Sequence, residues 1–175
     1  GPDSAGFAVY GGKNGGASKI CAVRRSASPG WDDVAARLAR ATGAKVKCET
    51  IEDHAILRIE GDGAAARSWL IENVPDATVL SEGEAIEIYK GVGDPDAISN
   101  RLKLASFTGT HAIGHTRMAT ESAVTIAGSH PFSTGRDTCL VHNGSLSNHN
   151  ALREMLRRHG EKFQTENDTE VAAGY

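Results

Sequence analysis

The sequence predicts an α+β fold, in which antiparallel strands and helices follow one another irregularly. Apolar and polar residues alternate over 45–51, 55–60 and 85–89, as is typical of half-exposed antiparallel strands. Helical spacing of apolar residues covers 29–42, which ends at a glycine, and 64–74. The resulting order of helix, strand, strand, helix and strand indicates a small α+β unit in this part of the chain.

Two further strands are predicted near the start of the chain, at 5–10 and 18–24. Four of the six residues between Gly11 and Gly16 are glycine, which accepts the positive φ angles that a chain reversal requires. We therefore expect this segment to be a hairpin-type connection between the two strands.

The second half of the chain predicts elements that end at polar residues. A short helix is expected over 96–104, and a strand over 112–117 ends at Arg117. A second strand, 138–142, stops at Asn143-Gly144. Further helices are expected from Ser147 or Asn148 to about 158, and from Asn167 onward, because these residues are good N-caps.

The composition excludes several classes of protein. A length of 175 residues allows one domain, with or without an inserted subdomain. A net charge of −3 with mixed signs does not supply the basic face that binds nucleic acid, and no apolar run reaches the length of a membrane span. The three cysteines, Cys21, Cys48 and Cys139, lack the spacing of a disulfide framework, which favours reduced thiols and a cytoplasmic location.

Two local patterns are candidates for chemistry. At the end of the strand 138–142, the Asn143 side-chain amide and the Gly144 backbone N–H can point the same way, as two donors for a developing oxyanion. The alternative is an ordinary tight turn, which Asn-Gly commonly forms. Arg117 lies at a strand end between polar residues, where its guanidinium can hold a carboxylate through two hydrogen bonds, and the alternative is a structural arginine.

Four motifs, in this order, resemble those of class II glutamine amidotransferase domains. They are GHTRMATES at 114–122, SHPF at 129–132, LVHNG at 140–144 and TENDTE at 165–170. The opening GPDSAG at 1–6 is similar as well, so that the resemblance covers about 1–17 and 105–175. The motifs are most similar to the glutamate synthase-like branch, particularly the amidotransferase subunit of N-methylglutamate synthase.

This resemblance implies the four-layer αββα sandwich of N-terminal-nucleophile hydrolases. We expect 1–28 and 90–175 to form part of the amidotransferase domain, with 29–89 as an inserted α+β subdomain. In the family, the nucleophile is a cysteine on the strand that precedes the GPDSAG segment. The first strand and this cysteine are therefore expected to lie outside the 175 residues, and the chain alone is expected to be inactive.

The resemblance also assigns roles to site residues. Asn143 and Gly144 would form the oxyanion hole, and Arg117 would hold the substrate α-carboxylate with contacts from Thr120 and Glu121. Asp168 would bind the substrate α-amino group, for which the alternative role is a helix-capping carboxylate.

No metal ion or cofactor is predicted. If residues 111–115 are extended, His111 and His115 are about 13 Å apart, too far to share one ion. Cys139 and His142 would point to opposite faces of the predicted strand, so Cys139 is expected to be a core residue. The expected partners are glutamine as substrate and a synthase subunit that receives ammonia. A non-catalytic domain that binds glutamine or assists assembly of a complex is the alternative.

Overall fold

The computed structural model describes residues 3–12, 15–25, 30–118 and 124–175. Within these ranges, seven strands and five α-helices follow one another, with a single 3₁₀ turn at Leu104–Ser106. The strands are β1 (Ser4–Tyr10), β2 (Ser18–Arg24), β3 (Lys45–Ile51), β4 (His54–Glu60), β5 (Ala77–Gly83), β6 (Ile86–Val92) and β7 (His111–Arg117). The helices are α1 (Trp31–Thr42), α2 (Gly63–Asn73), α3 (Pro95–Arg101), α4 (His149–Arg158) and α5 (Asp168–Gly174).

The strands form two sheets. A three-stranded sheet has the order β6-β1-β7, and a four-stranded sheet has the order β3-β4-β2-β5. Each neighbouring pair is antiparallel. Antiparallel sheets with interspersed helices agree with the predicted α+β class.

β2 and β4, the inner strands of the four-stranded sheet, are buried on both faces, whereas β3 at its edge is partly exposed. Side chains alternate along a strand, so Ile20 and Leu57 face one way while Cys21 and Ile56 face the other. The first face packs against α1 and α2, where Leu38 belongs to the same buried cluster. The second face shares a cluster with the three-stranded sheet, from which it takes residues such as Phe7, Ile88 and Tyr89. A helix layer, a sheet and a second sheet therefore lie one on another.

The glycine-rich segment is not the hairpin that we expected. β1 pairs with β6 and β7, whereas β2 pairs with β4 and β5, so the chain crosses from one sheet to the other between them. Gly15 and Gly16 do have positive φ angles, 59° and 89°. The glycines thus indicate a change of direction, but each strand finds its partners elsewhere.

The predicted strand 138–142 is also wrong. Within it, only Leu140 is paired, through two backbone hydrogen bonds with Phe132 of 2.8 and 2.9 Å. The preceding Asp137 has a φ of 54° and accepts hydrogen bonds from the backbone N–H groups of Glu84, Ala85 and Ile86. This carboxylate ties the segment to the turn between β5 and β6, and no neighbouring strand in the described residues pairs with it.

The predicted boundary between residues 28 and 29 separates β2 from strands that belong to the same sheet. β2 precedes this boundary, yet both of its neighbours in the sheet, β4 and β5, follow it. Beyond the other boundary, β6 continues to Val92 and pairs with β1. The independence of 29–89 stays a prediction, and this strand pairing argues against it because excision would remove both partners of β2.

Gly6 on β1 determines how the site segment meets the three-stranded sheet. A Cβ atom at Gly6 would overlap the backbone oxygen of His130 and would lie 3.0 Å from the Tyr89 oxygen. Only glycine therefore allows the 129–132 backbone to lie directly on β1.

We expect Gly6→Ala to lower the free energy of unfolding by about 1–3 kcal/mol, because the added methyl group must displace the His130 backbone. Gly12→Ala is the matched control, since nothing lies within 4 Å of its Cβ position. Urea unfolding of both variants measures the difference. Equal stability of the two variants would show that the close approach at Gly6 is not a constraint.

Candidate active site

The pairing of β1 with β7 brings the first site residues onto one face. Ser4 is directly opposite Arg117, and Gly6 is directly opposite His115. Residues two apart on a strand point to the same side, so His115 and Arg117 lie on the face that Gly6 leaves open for His130. The predicted placement of Arg117 at the end of this strand is confirmed.

His130 connects this sheet to α5. Its ring lies against the His115 ring, with 4.3 Å between the centroids, and its Nε2 is 2.9 Å from the Thr169 hydroxyl. Burial, together with the positive charges of neighbouring groups that include His115 and Lys90, lowers the pKa of His130 to about 4. The His130 ring is therefore neutral at neutral pH, and it bridges β7 to the start of α5.

The beginning of α5 is held by side chains. Asn167 is its N-cap and accepts a 2.9 Å hydrogen bond from the Thr169 N–H. The Glu170 carboxylate accepts hydrogen bonds from Gln164 and from both the N–H and the hydroxyl of Thr165. These bonds fix the loop that presents Asp168.

A buried arginine on α4 holds the same loop from the other side. Arg153, only 3% exposed, donates to the backbone oxygens of Thr165 and Asn167 at 2.6 and 3.1 Å. The loop that leads into α5 is therefore attached to α4 as well.

Asp168 lies next to the Asn143–Gly144 turn. Its Oδ2 accepts a 2.7 Å hydrogen bond from the N–H of Leu146, two residues beyond Gly144. Partial burial by itself raises the pKa of the Asp168 carboxyl, but hydrogen bonds from Leu146 and Thr169 and the nearby His142 lower it below its ordinary value. Asp168 is therefore a carboxylate at neutral pH.

Asn143 and Gly144 are exposed and form a bend, not the end of a strand. A Cβ atom at Gly144 would lie 2.8 Å from Nε2 of His142, so the turn packs closely against this imidazole. The Nδ1 atoms of His115, His130 and His142 are buried and have no hydrogen-bond partner among the described residues. Polar atoms with unused hydrogen-bonding capacity thus surround the predicted site.

Contacts connect Asp168 to β7, the strand that ends at Arg117. A continuous path runs from β7 through His115, His130 and Thr169 to Asp168 and Leu146. Thr120 and Glu121 lie outside the described residues. Within the described ranges, no group of three or more His, Cys, Asp or Glu residues is arranged to hold a metal ion.

Cys139 lies at the edge of the core. Its sulfur is 3.3 Å from the Tyr10 hydroxyl, which donates a hydrogen bond to it. Burial raises the pKa of its thiol. A thiol that is partly buried and protonated at neutral pH is a poor nucleophile.

Lys90 is a buried residue near the site that the sequence patterns did not single out. It directly follows the strand predicted over 85–89, and it is 3% exposed. Its ammonium lies 4.4 Å from the centroid of the Phe132 ring and 3.5 Å from the Ala127 oxygen. Burial lowers the pKa of Lys90 to about 7. The signal that could have indicated its burial is its spacing of two and four residues from Ile88 and Ile86, which places all three on one side of the strand.

A groove elsewhere is not part of this site. It has a volume of about 420 Å³ and lies between α1 and α2, where Asp62, Trp69 and Glu72 are among its lining residues. None of the predicted site residues that the structure describes lines it. The candidate site is therefore defined by its converging polar groups.

None of the helices in the described ranges is long and apolar enough to cross a membrane.

Comparison with known proteins shows which class this site resembles. Residues 103–174 match the family described as a glutamine amidotransferase domain. This segment contains Arg117, Asn143, Gly144 and Asp168.

Relatives that cover the whole chain carry related names. The chain is 49% identical over 178 residues to the glutamine amidotransferase-like protein GlxB of Rhizobium meliloti, and it covers 58% of that protein. It is 36% identical over 186 residues to a putative glutamine amidotransferase of Methanothermobacter thermautotrophicus, of which it covers 61%. The chain therefore spans about three fifths of the length of these two curated relatives.

A partial match extends to an enzyme with a named acceptor. The chain is 40% identical over 90 residues to glutamine–fructose-6-phosphate aminotransferase (isomerizing) of Bradyrhizobium diazoefficiens. The aligned residues are 51% of this chain and 15% of that enzyme. The resemblance to glutamine amidotransferases is thus confirmed.

We expect the neutral His130 to make stability depend on pH. An unfolded histidine titrates near 6.5, whereas His130 in the folded chain titrates at about 4. Between these values the unfolded state binds a proton that the folded state excludes, so the free energy of unfolding falls as pH falls from about 6.5 to about 4. His130→Gln should reduce this loss by on the order of 1 kcal/mol, after allowance for solvent screening.

Urea unfolding of the natural chain and of His130→Gln at about pH 7 and pH 5 measures this difference. Groups that face His130, namely His115, Lys90, Arg117 and Asp168, are present in both chains, so their direct contributions largely cancel. His159→Gln, on the exposed end of α4, is the control. The same pH dependence for His130→Gln and for the natural chain would contradict the assignment.

Proposed function

We propose that this chain is part of a class II glutamine amidotransferase, whose intact form releases ammonia from glutamine for a synthase partner. The observation that carries the proposal is the Asp168 carboxylate, which is ionised and hydrogen-bonded to the backbone beside the Asn143–Gly144 turn. This site lies within the segment that matches a glutamine amidotransferase domain.

Arg117 would bind the substrate α-carboxylate. It ends β7 on the face where His115 and His130 meet, and its guanidinium can form two parallel hydrogen bonds with a carboxylate. Contacts from Thr120 and Glu121 remain predictions.

Asp168 would bind the substrate α-amino group. The helix-capping role that was the alternative belongs to Asn167, which accepts the hydrogen bond from Thr169. A carboxylate with its pKa held below the ordinary value provides the negative charge that an ammonium group requires.

Asn143 and Gly144 would stabilise the oxyanion. Both residues are exposed, so their N–H donors are accessible to a substrate. Donors held in place before the reaction stabilise the developing charge without reorganisation.

The nucleophile would be an N-terminal cysteine outside the 175 residues. The α-amine of this cysteine would take the proton of the thiol, and the resulting thiolate would attack the side-chain amide carbon of glutamine. The C–N bond would then break, and the nitrogen would leave as ammonia with the proton from the α-amine. Water would then hydrolyse the γ-glutamyl thioester to glutamate and restore the thiol. Cys139 does not fit this role, because burial raises the pKa of its thiol and keeps it protonated at neutral pH.

The four-layer αββα sandwich is part of the same proposal. In the described residues β7 is an outer strand of its sheet, and Ala112 and Gly114 on it are exposed. A further strand could pair with this edge and carry the nucleophile toward Arg117 and Asp168.

A synthase partner would use the released ammonia. The resemblance to the glutamate synthase-like branch favours an acceptor synthase of the N-methylglutamate synthase type. All three cysteines are free, which supports a cytoplasmic setting. A non-catalytic glutamine-binding domain is the alternative, and ammonia release from glutamine distinguishes an enzyme from such a domain.

The full-length natural protein should release ammonia from L-glutamine, and Asn143 variants should lower this activity. Asn143→Gly removes one donor and should reduce kcat about 10²–10³-fold. Asn143→Asp places an acceptor against the oxyanion and should reduce kcat further. An ammonia-release assay with thermal unfolding measured alongside tests this order.

Asn150→Asp, an exposed asparagine on α4, is the matched control for this series. Glutamine binding without turnover in the natural protein would favour the non-catalytic alternative. Turnover close to that of the natural protein in both folded Asn143 variants would make Asn143-Gly144 an ordinary turn.

Arg117→Lys should raise KM for glutamine more than it lowers kcat. A lysine keeps the charge but loses the second hydrogen bond, and the carboxylate is held equally in the ground state and the transition state. Steady-state kinetics of the full-length protein measures both constants, with exposed Arg157→Lys as the control. A large fall in kcat at unchanged KM would place Arg117 in the chemistry instead.

A further inference from the structure

We propose that the Asp168 carboxylate also positions the Asn143–Gly144 turn, so that one side chain couples recognition of the substrate amine to stabilisation of the oxyanion. This inference rests on the proposed function and adds a positioning role that is separate from substrate binding. It follows from the hydrogen bonds that hold Asp168 and Leu146.

Hydrogen bonds of Leu146 attach the turn to two helices. Leu146 follows Gly144 by two residues, and its N–H donates to Oδ2 of Asp168 at 2.7 Å. On the other side of this residue, the Leu146 oxygen is 2.8 Å from Nδ1 of His149 and 3.2 Å from the His149 backbone nitrogen. The chain leaving the turn is therefore held between α5 and the start of α4.

Asp168 is itself held by Thr169. Its Oδ1 lies 3.4 Å from the hydroxyl of Thr169, which is 1% exposed. The same hydroxyl is 2.9 Å from Nε2 of His130. If Nε2–H donates to Thr169 and the Thr169 hydroxyl donates to Asp168, each proton is used once, and Nδ1 of the neutral His130 is left without a proton.

The Asp168 carboxylate keeps hydrogen-bonding capacity for a substrate amine. A carboxylate offers about four lone-pair sites, and the hydrogen bonds from Leu146 and Thr169 take up only some of them. The remaining capacity would accept the ammonium group. The orientation that suits the amine and the position of the turn are thus set by the same two oxygen atoms.

The two roles separate in a pair of substitutions. Asp168→Asn removes the charge but keeps an oxygen that can accept from Leu146, whereas Asp168→Ala removes both. In the full-length protein, both variants should raise KM for glutamine, since both lose the ion pair with the amine. Only Asp168→Ala should also lower kcat, about 10–100-fold, because the oxyanion donors lose their anchor.

Thr169 provides a second pair. Thr169→Val keeps the shape of the side chain but removes the hydroxyl that holds Oδ1, and should lower kcat by about 3–10-fold, the effect of losing one weak hydrogen bond. Thr169→Ser keeps the hydroxyl and should restore kcat. Equal kcat for Asp168→Asn and Asp168→Ala, together with equal kcat for the two Thr169 variants, would overturn the proposal.

Hydrogen exchange of the Leu146 amide in the full-length protein gives a readout that does not require turnover. The amide should exchange faster in Asp168→Ala and keep its protection in Asp168→Asn, with thermal unfolding showing that both variants fold. Unchanged protection in Asp168→Ala would overturn the positioning role. Failure of the natural protein to hydrolyse glutamine would refute the proposed function, and hydrogen exchange would still decide the positioning role.

Discussion

The close approach between Gly6 and the His130 backbone brings the site segment onto the three-stranded sheet. Because β1 is the middle strand, a residue in its centre faces whatever packs on the sheet. The absence of a side chain at Gly6 lets His130 reach His115 on β7 and Thr169 on α5. The contacts that connect His115 on β7 to Asp168 therefore depend on one position where only glycine fits.

The polar interior around this contact has a cost that its hydrogen bonds only partly offset. His130 and Lys90 are both buried, and burial shifts the pKa of each toward the neutral form. Lys90 is stabilised by the Phe132 ring and one backbone oxygen, which replace little of its hydration. Both groups therefore lie in the interior with their positive charge suppressed.

Similarity to glutamine amidotransferases agrees with this arrangement. The matched segment, 103–174, begins before β7 and ends in α5, so it contains the contact path of the site. β1, which forms the floor beneath His130, lies outside that segment but within the region aligned with the longer relatives. The site is thus assembled from two separated parts of the chain.

The sequence by itself determined the local features. Alternating and helical spacings located most strands and helices, although β5 was missed, and the motifs identified Arg117, Asn143, Gly144 and Asp168 as candidates. Only the tertiary structure decided that β1 and β2 belong to different sheets, that residues 138–142 form no strand, and that Asp168 holds Leu146. The reason is that periodicity reports which side of an element is apolar, whereas strand pairing and side-chain burial depend on residues distant in sequence.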